Sequence, residues 1–334
     1  MLRVIHFLRK PAARSFSIER LFTDVRAALP SDIDCSVRVS HFVSLGFFRR
    51  LYNALEAGWR RGQVNHVTGD VHFLAMGLPR NRTILTVHDC GNLHRLTGWR
   101  LTVLRFFWFT WPLRCVRIVT TISEATRQEL IKLAGAPPEK VRVVYNCVSP
   151  EFSGHPKAFN AERPLILMLG TAPNKNLERM AEALAGITCS VEIIGRPSPA
   201  QSAVFAQHGV ELITRGSVTN EQIVDAYRRC DFLLFASTHE GFGLPIIEAQ
   251  AVGRPVVTSK CSSMAEVAAD SACLVDPFDV RSIRAGIQRV IGDPVYRAEL
   301  VRLGFENQSR FSAAAVAAQY AALYREIAGA RISQ

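Results

Sequence analysis

Two glutamates, Glu240 and Glu248, stand at the edges of the stretch HEGFGLPIIEA (residues 239–249), with glycine and apolar side chains between them. Carboxylates are rarely buried without a partner. Both therefore face water, or both face a polar ligand. Pro245 suits the first turn of a helix, where a missing N–H costs nothing. Gly241 and Gly243 let the backbone pass close to a ligand, and free N–H groups at a helix start attract phosphate. Glu248 is then expected in the first turn of that helix. Glu240 is expected at the end of the preceding strand, the end at which open parallel sheets bind ligands. A carboxylate accepts two hydrogen bonds, which suits the vicinal hydroxyls of ribose or of a sugar ring. The bland alternative, one solvated loop acid and one ordinary helix acid, is left open by this stretch alone.

The elements that must position these residues can be read from periodicity. Residues 2–8 read as a buried strand and 17–29 as a helix ending before Pro30. Further strands are expected at 36–39, 63–67, 83–87, 118–122 and 141–144, with Ser123 capping a helix to about residue 133. Residues 150–164 break the pattern with Pro, Gly and polar side chains, and read as a linker. Alternation then restarts. Strands are expected at 165–169, 191–194, 210–212, 232–236, 255–258 and 272–275, with helices from about 176, over 220–230 and over 245–252. Strands alternating with helices indicate parallel sheets covered on both faces. The expected architecture is α/β, with two Rossmann-like doubly wound domains. One spans 1–152 and the other 160–314, and a last helix at about 315–334 packs back on the first.

The chain has 334 residues, 48% hydrophobic and 21% charged, enough apolar material for two real cores. None of its eight cysteines is paired at metal-site or redox spacing, which points to buried, reduced thiols in a cytosol-like compartment. The start, MLRVIHFLRKPAAR, has too short an apolar run for a signal peptide. Charge is unevenly placed: residues 1–150 hold 22 Lys and Arg against 10 Asp and Glu, while the remainder is nearly balanced. A basic half suits nucleic acid, anionic lipid or a phosphorylated ligand. No nucleic-acid motif accompanies it. The stretch GWRLTVLRFFWFTWPLRC (98–115) mixes Trp and Phe with Arg and is too short to span a bilayer. It reads either as a membrane-interface segment or as a buried helix of the first domain.

Residues 215–279, RGSVTNEQIVDAYRRCDFLLFASTHEGFGLPIIEAQAVGRPVVTSKCSSMAEVAADSACLVDPFD, resemble the donor half of the family 4 glycosyltransferases, retaining enzymes of the GT-B fold. LMLGTAPNKNL (167–177), TVHDC (86–90), TISEATRQEL (120–129) and VRVVYNCVSPEF (141–152) fall in family order upstream, so the resemblance covers roughly 83–315. It implies that the two domains face a cleft. It implies catalytic roles for Glu240 on the donor sugar hydroxyls, Lys175 on the departing diphosphate and His88 near the donor sugar. Glu248 would bind the ribose. The amides of Phe242, Gly243 and Leu244, with Ile246 beside them, would face the diphosphate together with Gly170. Gly216, Ser217 and Val218 would lie against the base. Two departures stand out. Asn174 replaces an arginine usual in the subgroup. The family's glycine-rich loop after the first strand is replaced by RKPAARS (9–15), whose Arg9, Lys10 and Arg14 could supply the missing charge, as could Arg196. Asp89, Asp70 and His72 are candidate acceptor contacts.

The implied reaction moves a sugar from a nucleotide-diphosphate donor to a hydroxyl with retention, the departing phosphate taking the acceptor proton. No cofactor and no metal are expected: there is no Asp-x-Asp, and Lys175 with helix amides can carry the charge. Expected partners are a nucleotide sugar, a carbohydrate or lipid-linked acceptor of cell-surface polysaccharide synthesis, and an anionic membrane surface, with no nucleic acid. The expected location is cytoplasmic, peripheral on the cytoplasmic membrane face. The alternatives are a non-catalytic sugar-nucleotide binding subunit and a nucleotide-sugar epimerase of the same fold.

Overall fold

The computed structural model describes residues 1–10, 17–91, 93 and 98–329. They form two units, Met1–Cys147 with the helix Ala313–Gly329, and Val148–Ser312. Among the described residues each unit carries one six-stranded parallel sheet. The first holds β1 (Leu2–Leu8), β2 (Ile33–Val39), β3 (Val64–Val67), β4 (Thr83–Val87), β5 (Ile118–Thr121) and β6 (Val141–Val143), in the order β2-β1-β3-β4-β5-β6. Strands β3, β4 and β5 are buried at every position, as a sheet covered on both faces requires. The second holds β7 (Leu165–Leu169), β8 (Ser190–Ile194), β9 (Glu211–Arg215), β10 (Phe232–Phe235), β11 (Val256–Ser259) and β12 (Cys273–Val275), in the order β12-β11-β10-β7-β8-β9. The order reverses between β1 and β3 in one sheet and between β7 and β10 in the other. Ligand crevices open at the carboxyl ends of strands at such reversals.

Two sequence expectations are corrected. β2 and β9 run longer than their apolar residues suggest, because both are edge strands whose outer positions carry polar side chains such as Asp34, Arg38 and Thr214. Residues 150–164 are no free linker but part of the second unit. Phe159 stacks on Phe232, Phe152 meets the Tyr227 ring edge-on, and Asp231 accepts from the Asn160 and Leu165 amides and pairs with Lys157.

The helix Ala313–Gly329 is tied into the first unit by a buried polar chain. Tyr324 Oη lies 2.8 Å from His6 Nε2 and 2.7 Å from His66 Nδ1, and His66 Nε2 lies 2.7 Å from Thr86 Oγ1. Thr86 in turn meets Thr120 at 2.7 Å. Register puts His6 opposite His66 on neighbouring strands, so the one hydroxyl reaches both rings. Burial holds His6 down to about 3 and His66 well below the ordinary imidazole value, so both stay neutral. No helix among the described residues is long and apolar enough to cross a membrane.

Candidate active site

In the second unit, the turn after β7 and the turn after β10 meet at the strand-order reversal. Gly170 follows β7 with φ +82°, a conformation that favours glycine. The Lys175 side chain folds over it so closely that a Cβ there would fall 2.9 Å from Lys175 Cε. Lys175 Nζ lies 2.6 Å from Glu240 Oε1, and both side chains are largely buried. Asn174 Nδ2 donates to the same oxygen at 3.3 Å and to the His239 carbonyl at 2.9 Å. Asn174 is thus a neutral donor onto Glu240. Its own carbonyl accepts from the Thr238 amide at 2.8 Å, which pins the two turns together. Lys175 also sits 4.8 Å from the centroid of the Phe235 ring. A partly buried carboxylate with a cation and an amide on one oxygen is compensated for the water it has lost.

The backbone of Glu240 is fixed from the other side. Ser262 Oγ and Ser263 Oγ each donate to its carbonyl at 2.8 Å. Ser262 adopts φ +55°, unusual for a residue with a side chain. Neither serine shows in the sequence pattern; a hydroxyl pair opening a helix reads there as an ordinary cap.

Gly243, at φ +107°, precedes the helix Leu244–Val252, so Glu248 is that helix's fifth residue. It lies in the second turn rather than the first, because the helix begins at Leu244 instead of Pro245. Glu248 Oε2 accepts from Tyr227 Oη at 2.7 Å. Burial and the adjoining carboxylate push the Tyr227 phenol well above its ordinary value, so it remains a donor. Tyr227 was not singled out from sequence, since an aromatic on the buried face of an amphipathic helix reads as core. Phe242 is buried against Phe311. The Ile246 amide already donates to the Gly243 carbonyl at 3.0 Å and is not available to a phosphate. Gly243 and Leu244 begin the turn whose N–H groups have no partner within the helix. Gly216, Ser217 and Val218 follow β9 on the same sheet edge, two strands from β7. Arg196 covers Gly216, where a Cβ would fall 2.6 Å from its Nε.

In the first unit, a cavity of about 290 Å³ is lined by Arg9, Asp70, His72, His88, Asp89 and Trp108, with Ile18, Gly91 and Phe109. His88 Nε2 lies 2.8 Å from the Thr68 carbonyl, which can only accept, so Nε2 carries the proton and Nδ1 is the acceptor of the neutral ring. Burial lowers its pKa, partly opposed by that hydrogen bond and by Asp70. His72 Nδ1 donates to the Trp108 carbonyl at 2.9 Å, and Trp108 Nε1 donates to Asp70 at 3.2 Å. Asp89 Oδ1 accepts from the Gly91 amide. Arg9 is paired with Glu19 at 2.8 Å and lines the cavity, while Lys10 donates to the His41 carbonyl at 3.1 Å, a contact that leaves its charge uncompensated. Arg14 lies outside the described residues.

Family profiles match both units: Glycosyltransferase Family 4 over residues 23–152 and Glycosyl transferases group 1 over residues 163–293. The chain belongs to the family 4 glycosyltransferases. This family 4 chain is similar to the serotype-specific mannosyltransferase WbdA of Escherichia coli, 25% identical over 220 residues, 58% of this chain and 27% of WbdA. It thus spans about a quarter of the length of that relative. It is also similar to the MMP alpha-(1->4)-mannosyltransferase of Mycolicibacterium hassiacum, 26% identical over 350 aligned residues, 93% of this chain and 79% of the relative. Among solved structures, Anabaena Alr3699/HepE in complex with UDP-glucose superposes with a TM-score of 0.77 at 14% identity, covering 100% of both chains. That likeness is one of fold.

Proposed function

We propose that this protein is a retaining glycosyltransferase that moves a hexose from a nucleotide-diphosphate donor to a hydroxyl of a lipid-linked or polysaccharide precursor. The observation that carries the reading is the Lys175–Glu240 pair beside Gly170 at the strand-order reversal. Lys175 and Asn174 both act on Glu240 Oε1, which leaves Oε2 for a sugar hydroxyl. The Lys175 ammonium keeps two further N–H donors and its charge for the departing diphosphate, aided by the helix start at Gly243 and Leu244. Glu248, held by Tyr227, takes the ribose hydroxyls. The departing phosphate receives the acceptor proton on the same face of the sugar. His88 Nδ1, in its neutral ring, is an acceptor for a hydroxyl in the first unit's cavity. In this reading Lys175 supplies the fixed positive charge that a metal ion would otherwise bring to the departing diphosphate. The names of the relatives make mannose the first sugar to test.

The experiment is donor hydrolysis and thermal shift with GDP-mannose, UDP-glucose and their diphosphates, with and without a chelator. One donor should stabilise the protein and be hydrolysed slowly without acceptor, equally in both conditions. Binding without hydrolysis would make the chain a binding subunit, and loss on chelation would refute metal independence.

A further inference from the structure

The helix Phe47–Trp59 turns small residues to the protein and large ones to solvent. Its buried residues are Asn53, Ala54 and Ala57. The packing is so close that a Cβ on Gly77 would fall 1.9 Å from the Ala54 carbonyl oxygen. Outward stand Phe47 at 70% exposure, Phe48 at 82% and Trp59 at 91%, with Leu51, Tyr52 and Leu55 also exposed. At 100° per residue these six side chains fall within an arc of about 140°. A globular helix normally buries such an arc, and a contiguous exposed apolar patch marks an interaction surface.

A second exposed set, Trp99, Val103, Phe106, Phe107 and Trp111, adjoins it: the Arg50 guanidinium lies 5.0 Å from the centroid of the Trp108 ring. Within 98–115, Phe109 and Leu113 are core, as the buried-helix reading expects, while these five face out. Charge around the two sets is mainly positive, Asp70 at the Trp108 indole being the acid beside them. Arg49, Arg60, Arg61, Arg100, Arg105, Arg114 and Arg117 are exposed, and Glu56, the one acid within 41–61 and 98–117, is paired with Arg60 at 3.1 Å. Trp108 also lines the first unit's cavity, so the surface is continuous with the candidate acceptor site.

We propose that this face docks on an anionic lipid bilayer. Phe47, Phe48, Leu55 and Trp59 enter the headgroup layer, and the arginines meet lipid phosphates. The apolar groups form a ridge on one helix rather than a groove for a peptide, and the excess of arginine over acid beside it matches an anionic plane. This rests on the lipid-linked acceptor reading and deepens it, but its assay needs no sugar donor, so the two fail separately.

The test is co-sedimentation of the full chain with phosphatidylglycerol–phosphatidylcholine vesicles and with phosphatidylcholine alone, at low and high salt. Binding should favour the anionic vesicles and fall partly with salt. Combined Phe48→Ser, Leu55→Ser and Trp59→Ser should lower vesicle affinity about tenfold or more, because the inserted apolar area is lost. Nucleotide-diphosphate affinity and thermal unfolding should not change, since all three side chains are exposed. Combined Arg49→Ser, Arg60→Ser and Arg61→Ser should remove mainly the salt-sensitive part. The proposal is overturned if the wild type ignores anionic vesicles at low salt, or if the apolar triple variant binds as well as wild type. It is equally overturned if the wild type is a dimer that this variant returns to monomer without any vesicle binding, which would make the occupant a second copy.

Discussion

Both sheets reverse strand order near their centres, yet different chemistry stands at the two reversals. After β7 and β10 the second unit places a glycine at φ +82°, a lysine and a glutamate, with the charges paired to one another at the rim. After β1 and β3 the first unit places Arg9, already bound by Glu19, and Thr68, whose carbonyl holds His88. Deeper lies the neutral chain from His6 through Tyr324 and His66 to Thr120. The rim charges of the second unit can exchange partners with an anionic ligand. The buried groups of the first unit cannot, and serve instead to lock the helix Ala313–Gly329 onto the sheet. One topology thus carries a lysine–glutamate pair at the reversal in one unit, and in the other a cavity of mixed charge, Arg9 with Asp70 and Asp89, above a neutral buried chain.

The largest test of that contrast is Lys175→Met. Removing a fixed cation from developing charge should lower turnover by about 10²–10³-fold, while the fold persists because Asn174 still donates to Glu240 Oε1. Steady-state transfer or donor hydrolysis, read beside thermal unfolding, checks this. A folded variant with wild-type turnover would mean that the second unit's rim does not handle charge in the reaction.

Tyr324→Phe probes the first unit. It strips a partner from two buried histidines at once and should cost about 2 kcal/mol of stability. All four tryptophans, Trp59, Trp99, Trp108 and Trp111, lie in the first unit, so their fluorescence follows its urea unfolding alone. The same signal reads the pH dependence. The folded pKa of His6 lies at about 3 and that of His66 is also lowered, both beneath the unfolded value of about 6.5. The unfolded chain therefore binds protons that the folded one does not. Stability is full above pH about 6.5 and falls as pH drops toward the folded values, by about 1.4 kcal/mol per pH unit for each histidine. A flat profile between pH 7 and 4.5 would show that these rings titrate normally in the folded unit.

Much of the fold was legible, because buried parallel strands such as Leu2–Leu8 and Phe232–Phe235 are continuous apolar runs between turn signals. Glu240 and Lys175 were legible as residues, through glycine and motif spacing, but not as partners, since they are 65 positions apart. The histidine chain was invisible for the same reason: its hinge, Tyr324, sits 258 residues from His66. The face of Phe47–Trp59 was missed because apolar periodicity says that a helix has an apolar side, not which side is covered. That depends on the backbone of Gly77, against which only small residues fit. Segment 150–164 read as a linker because its contacts are made by a few anchors, Asp231 above all, just before a strand reached much later in the chain.

The smallest expected effect sharpens the comparison most. Each unit uses a buried neutral tyrosine: Tyr324 bridges two core histidines, donating to one ring and accepting from the other, and Tyr227 donates to Glu248 near the second unit's rim. If Tyr227 holds a ligand-binding carboxylate rather than only filling the core, Tyr227→Phe should keep the packing and lose the orientation. The ring would still fill its place against Phe152, so thermal unfolding should move little. Glu248 would lose one hydrogen bond of 2.7 Å, and nucleotide-diphosphate affinity should fall about three- to tenfold, the equivalent of about 1 kcal/mol. Turnover at saturating donor should be nearly unchanged, because the ribose contact is made in ground and transition state alike. Because the phenol titrates far above neutrality, the difference between wild type and variant should be constant from pH 6 to 9. Calorimetry with GDP and UDP measures it, with Glu248→Ala as the larger reference loss. If Glu248→Ala weakens binding and Tyr227→Phe does not, Tyr227 is packing alone and the parallel between the two tyrosines fails. If neither weakens it, Glu248 does not hold the ribose, and the rim's ligand contacts end at Glu240.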